Sequence, residues 1–364
     1  MIYLDHASTT KPLPEAIESF QTAFSGWGNP SSRHPHGLHA EKTLNDARRS
    51  ISGVLGVTTG SILFTSGGTE ANNLAIFGAA KKSRRRHIIS TTLEHPSVGE
   101  PLRELSLRGY DVTLIAPRAD GRIHPDDISS AIREDTFMAS CILVCNETGS
   151  VSDLAAVSRA VKSKNPDILL HTDAVQAFLH IPFTPDGLGA DLVSISAHKI
   201  GGVKGSGALY IRPGVKLAPL IYGGGQEAGL RSGTEAMPAI CAFKAASGAF
   251  RPPDESLRNY TLGVLEDAGA YIIPSPDAPH IVAFAPKRRI PGEVSARMLS
   301  DIGICVSAGA ACSKNKKSPA AASMRLPPGI AGSILRASFS YETSKSDIDA
   351  LADALEIVLA RFTR

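Results

Sequence analysis

The sequence predicts an α/β protein: a large domain with a mainly parallel, seven-stranded-type sheet sandwiched by helices, then a smaller α+β domain. Three observations carry this reading. From about residue 38 to 245, short apolar runs alternate with stretches of helical spacing, the pattern of a parallel sheet covered on both faces. Two Pro/Ser/Gly-rich stretches, "SGAFRPPDES" and "IPSPDAPH", then break the pattern. At 364 residues the chain is also long for one domain and suits one large and one smaller unit. The expected boundaries are 15–245 for the large domain, with 1–14 and 246–364 forming the small one.

In chain order, "HAEKTLNDARRSISGVL" places Leu44, Ala47, Ile51, Val54 and Leu55 on one helical face. "SILFTS" reads as a strand, "TEANNLAIFGAAKK" as a helix, "HIIST" as a strand and "PSVGEPLRELSLRG" as a helix. The strands "DVTLIA" and "MASCILVCN" follow, then the helix around "DLAAVSRAVKSK". "DILLHTDA", "ADLVSISAH" and "GALYIR" complete the strands of the large domain. Past the break come "HIVAFAP", the helix "GEVSARMLSDIG", "ICVSAG", "SILRASFS" and a last helix, "SKSDIDALADALEIVLARF". Ser344 or Ser346 is its expected N-cap, because acidic residues follow in the first turn.

A hydrophobic fraction of 43% with 20% charged residues is that of an ordinary globular protein. The net charge of +3 is too small to call for nucleic acid, and the basic runs "KKSRRRH", "PKRR" and "KNKK" are short enough to be solvated faces. No apolar run approaches the roughly 20 residues of a membrane span, and no apolar leader precedes "MIYLDHASTT". The five cysteines, at 141, 145, 241, 305 and 312, are odd in number and lack the spacing of a disulfide framework, which suits a reducing compartment. A cytoplasmic protein without membrane or nucleic-acid partners is expected. Cys141 and Cys145 fall in a buried-strand pattern, and with neither CxxC nor HExxH in the chain no metal site is expected.

Ligands of an open α/β sheet gather past the carboxyl ends of its strands, and several polar groups are placed there. Gly67, Gly68 and Thr69 in "FTSGGTEANN" form a turn that opens a helix, where free N–H groups and the helix dipole favour a phosphate. On its own such a turn is common. His95 follows "HIIST", in a position that a structural histidine could equally fill. Asp173 ends the apolar run of "LLHTDAVQA", where a carboxylate is costly unless a cation or hydrogen-bond donors receive it. Ser196, His198 and Lys199 end the next strand in "SISAHK". A phosphate seat, a buried carboxylate, an imidazole and a strand-end lysine together suggest pyridoxal 5'-phosphate. Lysine can hold its aldehyde as a Schiff base, Asp can keep its pyridine nitrogen protonated and His can stack on its ring. Nicotinamide chemistry would want a dinucleotide fingerprint, and none is present.

The stretches "YLDHASTT", "GNPSSRHPHG", "FTSGGTEANNLAI", "EHPSV", "NETGSV", "HTDAVQA", "SISAHKIGGVKGSGALYIR", "GGGQEAGLRSGTEAM", "SAGAACS" and "SILRASFS" occur in this order along nearly the whole chain. Together they resemble the cysteine desulfurases of the NifS/IscS type, class V aminotransferases of fold type I with an aspartate aminotransferase-like architecture. The resemblance implies that Lys199 is the Schiff-base lysine, His95 the imidazole over the ring and an acid/base, and Asp173 the partner of the pyridine nitrogen. It gives Gln176 the phenolic oxygen, and gives Gly68, Thr69, Ser196 and His198 the phosphate. Thr234, in "RSGT", would complete the phosphate site of the other subunit, which implies a homodimer. Asn29, Asn146 and Arg336 fall on the substrate side, and the bidentate guanidinium of Arg336 suits an α-carboxylate.

Cys312 occupies the position of the sulfur-accepting nucleophile, and Lys314, Lys316 and Lys317 close by in sequence favour its thiolate. The implied reaction converts L-cysteine to L-alanine and leaves a persulfide for a protein acceptor serving iron–sulfur cluster assembly or thiolation. A selenocysteine lyase or another class V lyase is the alternative within this fold, and a catalytically silent binding paralogue is the alternative outside it. The chain departs from the family pattern at Cys145, Ser152, Ala197 and Val203, and in the lysine-rich run after Cys312. None of these departures removes a catalytic group.

Overall fold

A computed structural model describes residues 1–309 and 319–362. The chain opens with β1 (Ile2–Tyr3), α1 (Pro14–Thr22) and α2 (Pro35–Leu55). It continues through β2 (Ile62–Thr65), α3 (Gly68–Lys82), β3 (His87–Thr91), α4 (Pro96–Leu107), β4 (Asp111–Ile115) and α5 (Pro125–Ser130). Next come β5 (Thr136–Ser140), α6 (Leu154–Lys164), β6 (Leu169–Asp173), α7 (Pro185–Leu188), β7 (Leu192–Ser196), β8 (Gly207–Ile211) and α8 (Met237–Ala249). The last part comprises α9 (Glu255–Asp267), β9 (Ala270–Ile272), β10 (Ile281–Pro286), α10 (Gly292–Asp301), β11 (Ile304–Cys305) and β12 (Ser307–Ala308). It ends with α11 (Pro319–Ser323), β13 (Leu335–Ser338) and α12 (Lys345–Ala360).

The central sheet has seven strands in the order β2-β8-β7-β6-β5-β3-β4. The pairs β7–β6, β6–β5, β5–β3 and β3–β4 are parallel, whereas β8 runs antiparallel to both β2 and β7. The expected sheet is therefore present with one reversed strand. The reversal has a local cause. Only residues 197–206 join β7 to β8, too few for a crossover to a parallel strand, so the chain must turn straight back. That short return carries His198 and Lys199.

Two element ends differ from the sequence expectation. Helix α2 starts at Pro35, ahead of the apolar periodicity, because His34 caps it: Gly37 N donates to His34 Nδ1 at 3.3 Å, and Pro35 fits a first turn that needs no N–H. Strand β5 ends at Ser140, short of the expected "MASCILVCN". Cys141 N and Leu143 N still donate to His171 and Asp173 carbonyls on the β6 side. On the opposite edge Ile142 N donates instead to the Glu94 carboxylate at 2.8 Å, which ends the ladder there. The final helix is capped by Ser344, with Asp347 reaching back to Ser344 N at 2.8 Å.

Strands β12-β13-β10-β9 form a second, antiparallel sheet, while β1 pairs in parallel with β11. A separate core lies beneath these strands, built from Leu257, Phe284, Leu335, Phe339, Leu351 and Leu355 and joined by Leu4 from the N-terminus. Leu4 packs there, and on that ground we propose residues 1–14 with 246–364 as the small domain and 15–245 as the large one, although Ala7, Leu13 and, within α8, Ala246 pack into the core of the central sheet. The same docking brings the N-terminal stretch 5–8 beside β13: Ala7 N donates to Ser338 Oγ at 2.8 Å.

A buried ion pair fixes the long loop after β8. The Glu227 carboxylate accepts from Arg48 Nη1 and Nη2 at 2.8 and 2.6 Å and from Phe64 N at 2.8 Å. Glu227 and Ala228 both have positive φ, 48° and 56°, a strained backbone for residues with a Cβ. The pair holds that strain against α2 and the edge strand β2. Arg48→Met would leave the Glu227 charge, 7% exposed, without its cation. We expect it to lower stability by about 3–5 kcal/mol, read as a fall in the denaturant midpoint at an unchanged slope.

Candidate active site

A cavity of about 310 Å³ lies past the carboxyl ends of the central strands. Gly68, Thr69, His95, Asn146, Asp173, Gln176, Ser196, His198, Lys199 and Arg336 all line it, so ten of the residues singled out in sequence meet around one space. Each arrives by a different element. Gly68 and Thr69 begin α3, His95 is the N-cap of α4, Asp173 and Ser196 end β6 and β7, and Arg336 lies on β13. Close packing leaves no room for side chains here: a Cβ on Gly68 would meet Val175 Cγ2 at 2.6 Å, and one on Gly207 of β8 would meet Gly67 Cα at 2.7 Å.

Asp173 is 4% exposed and does not lack donors. Its Oδ1 accepts from Val175 N at 2.9 Å and its Oδ2 from Asn72 Nδ2 at 2.7 Å. The same Asn72 nitrogen donates to Ser97 Oγ at 2.8 Å, and that hydroxyl stands 2.7 Å from His95 Nδ1. Burial pulls His95 below the ordinary imidazole range; Asp173 opposes this, and Lys199 and Arg336 add to it. His198 is lowered to about 4 by burial and then by the cations Lys199 and Lys204, so it is neutral at physiological pH. Its Nδ1 lies 3.2 Å from Thr9 Oγ1.

Lys199 ends a short 3-10 turn, 197–199, directly after β7. Its Nζ donates to the carbonyls of Ala7 and Ser8, each at 2.6 Å. Gln176 Nε2 donates to the same Ala7 carbonyl at 2.8 Å, while its buried Oε1 has no partner among the described residues. Arg336 is 7% exposed. Its Nη1 donates to Asn146 O at 2.6 Å, and its Nη2 to Asp5 Oδ1, Ser8 Oγ and Ser307 Oγ at 2.9, 3.0 and 3.1 Å. Its Nε is buried, again with no partner among the described residues.

Other residues stand apart. Asn29 is exposed, forms a turn in which Ser31 N donates to its Oδ1 at 2.9 Å, and does not line the cavity. Thr234 is exposed too, at the far end of the loop anchored by Glu227. Lys204 points to solvent. Cys312 and the lysines after it lie outside the described residues. Among the described cysteines, 141, 145 and 241 are buried. Burial pushes the Cys145 thiol up to about 11 and raises Cys141 further, so neither forms a thiolate readily.

Sequence reasoning missed Asn72, Ser97, Glu94 and Asp5. Glu94 holds β3 to the end of β5, accepting from Thr91 Oγ1 at 3.1 Å as well as from Ile142 N. Burial, followed by the neighbouring Asp173, raises it to about 8, so it is largely a neutral acid at pH 7. Its only signal was a carboxylate beside His95 at a strand end.

The group implied by these residues can be tested against the lining. An amine, a donor-held carboxylate, an imidazole and the first turn of a helix face one space. Beside it, the buried Gln176 Oε1 and Arg336 Nε have no partner among the described residues. That donor set fits pyridoxal phosphate. The family model for aminotransferase class-V matches residues 2–351. The chain belongs to the class-V aminotransferase family. Among relatives of this class-V enzyme, a cysteine desulfurase IscS of Dictyoglomus turgidum is 36% identical over 376 residues, covering 99% of this chain and 95% of that one. A solved NifS-like protein superposes with a TM-score of 0.91 at 32% identity, covering 99% of this chain and all of the other. A structure described as SspA in complex with cysteine gives 0.83 at 31% identity, covering 94% of this chain and 100% of that one. The family assignment carries pyridoxal phosphate dependence with it. Among the described residues no helix is long and apolar enough to cross a membrane.

Proposed function

We propose that this class-V enzyme is a cysteine desulfurase, moving sulfur from L-cysteine onto Cys312 and releasing L-alanine. The observation that carries the proposal is the convergence of Lys199, Asp173, His95 and Arg336 on one cavity, in a chain whose full-length relative bears that name. When bound, pyridoxal phosphate supplies an electron sink for the substrate's Cα. Lys199 would hold its aldehyde, and its Nζ would serve as the base for the substrate's Cα proton. Asp173 would keep the pyridine nitrogen protonated, its own carboxylate being fixed by Asn72 and Val175. His95 would lie on the ring side and Gln176 would serve the phenolic oxygen. Gly68, Thr69, Ser196 and His198 would hold the phosphate near the N-terminus of α3.

Thr234 joins the phosphate seat of the partner subunit in a homodimer, a reading its exposed place on an anchored loop supports. Arg336 receives the substrate carboxylate, with Asn146 on the same side; Asn29, outside the cavity of the single chain, would have to reach the substrate from elsewhere. The Cys312 thiolate bonds to the substrate sulfur, the Cβ–S bond breaks, and a proton replaces sulfur on that carbon. Cysteine plus enzyme thiol thus becomes alanine plus enzyme persulfide with no external oxidant. A protein acceptor for iron–sulfur assembly or thiolation then takes the sulfur, in the cytoplasm.

Borohydride reduction followed by peptide mapping tests the lysine assignment. The cofactor mass should appear on Lys199, and its appearance on another lysine would overturn the assignment. Arg336→Lys tests the substrate end. It keeps a cation for Asp5 but loses the planar fork, so KM for L-cysteine should rise at least about tenfold with a smaller change in kcat.

A further inference from the structure

We propose that Ser97 and Asn72 are positioning residues that pin His95 as the imidazole protonated on Nε2 and tie it to Asp173. The assignment rests on the reading of His95 and Asp173 as cofactor contacts, but its geometry is independent of that reading. As N-cap of α4, His95 accepts from Ser97 N through Nδ1 at 3.1 Å, and a backbone N–H can only donate. Nδ1 therefore carries a lone pair, and the ring's proton sits on Nε2. Ser97 Oγ, 2.7 Å from the same nitrogen, must then be the donor in that contact.

The other end of the chain is equally constrained. Turning the Asn72 amide over would set its oxygen against the Asp173 carboxylate, so its NH₂ faces that way. Its two hydrogens go to Asp173 Oδ2 at 2.7 Å and Ser97 Oγ at 2.8 Å. Every donor in the path Asp173–Asn72–Ser97–His95 is thus accounted for, and Asn72 is fully buried. The path links the carboxylate proposed for the pyridine nitrogen to the imidazole proposed for the ring face. Protonating His95 on Nδ1 would break the bond from Ser97 N and force the Ser97 hydroxyl to turn from donor to acceptor. Among the described residues, the charged groups that face His95 from other elements are Asp173 on β6, Lys199 beyond β7 and Arg336 on β13, and the neutral but titratable His198 lies beside Lys199.

The test uses holoenzyme with ¹⁵N-labelled histidine, His95 being assigned by the signals lost in His95→Gln. At neutral and higher pH the wild type should show a protonated Nε2 and a lone-pair Nδ1. Ser97→Ala and Asn72→Ala should raise the protonation midpoint of His95 by roughly one pH unit, because the neutral ring loses hydrogen bonding. Ser97→Thr, which keeps the hydroxyl, should restore the wild-type pattern. In the same samples Ser97→Ala should lower kcat for alanine roughly tenfold at unchanged KM, with the acid limb moved to higher pH. A wild-type ring protonated on Nδ1, or ring signals unmoved in both alanine variants, would overturn the proposal. If the wild type forms no alanine while the ring signals behave as stated, the desulfurase reading fails and the positioning role stands.

Discussion

Lys199→Ala is expected to cut alanine formation from L-cysteine by at least about a thousandfold while leaving circular dichroism unchanged. No other lysine lines the cavity among the described residues, and Lys204, five positions on, faces solvent. Lys199 is set by more than its side chain. His180 Nε2 lies 3.3 Å from its carbonyl, and two backbone carbonyls of the N-terminal stretch receive its Nζ. Removing the amine would therefore take away the proposed anchoring group and base together, and no other described lysine lines the cavity to replace it. Kinetics of alanine release by wild type and variant would check it.

Asp173→Asn should lower kcat by about a hundredfold or more, with KM for L-cysteine altered far less. The substitution keeps size and hydrogen-bonding reach but removes the charge that, on the proposed reading, would hold a proton on the pyridine nitrogen. It also leaves Asn72 facing an amide, so the link to Ser97 and His95 loosens at the same time. Measuring kcat and the absorbance spectrum of bound cofactor across pH would separate loss of turnover from loss of binding.

The polar groups at strand ends were legible in the sequence because each interrupts an apolar run where a bland core would continue. Asp173, Lys199 and the glycine turn before α3 were found in that way. The residues that steady them were not. Asn72 meets Asp173 across 101 positions and Arg336 meets Asp5 across 331, and neither pairing leaves a local signature. Asn72 looks like any polar residue of a helix until β6 is folded beside it. The reversed strand β8 is different: the shortness of the 197–206 connection foretold it, but the apolar pattern of a strand carries no sign of its direction. Asn29 and Thr234 were named only through resemblance, and in the single chain both face solvent.

On the proposed function, Lys199 and Cys312 act in one reaction on L-cysteine. The most direct measurement incubates wild type, Lys199→Ala and Cys312→Ser with L-cysteine and a thiol reductant and quantifies alanine and sulfide. The wild type should form the two in equal amounts, Lys199→Ala neither, and Cys312→Ser little of either. A wild type that makes no alanine, or a Cys312→Ser variant that releases as much sulfide as the wild type, would contradict it.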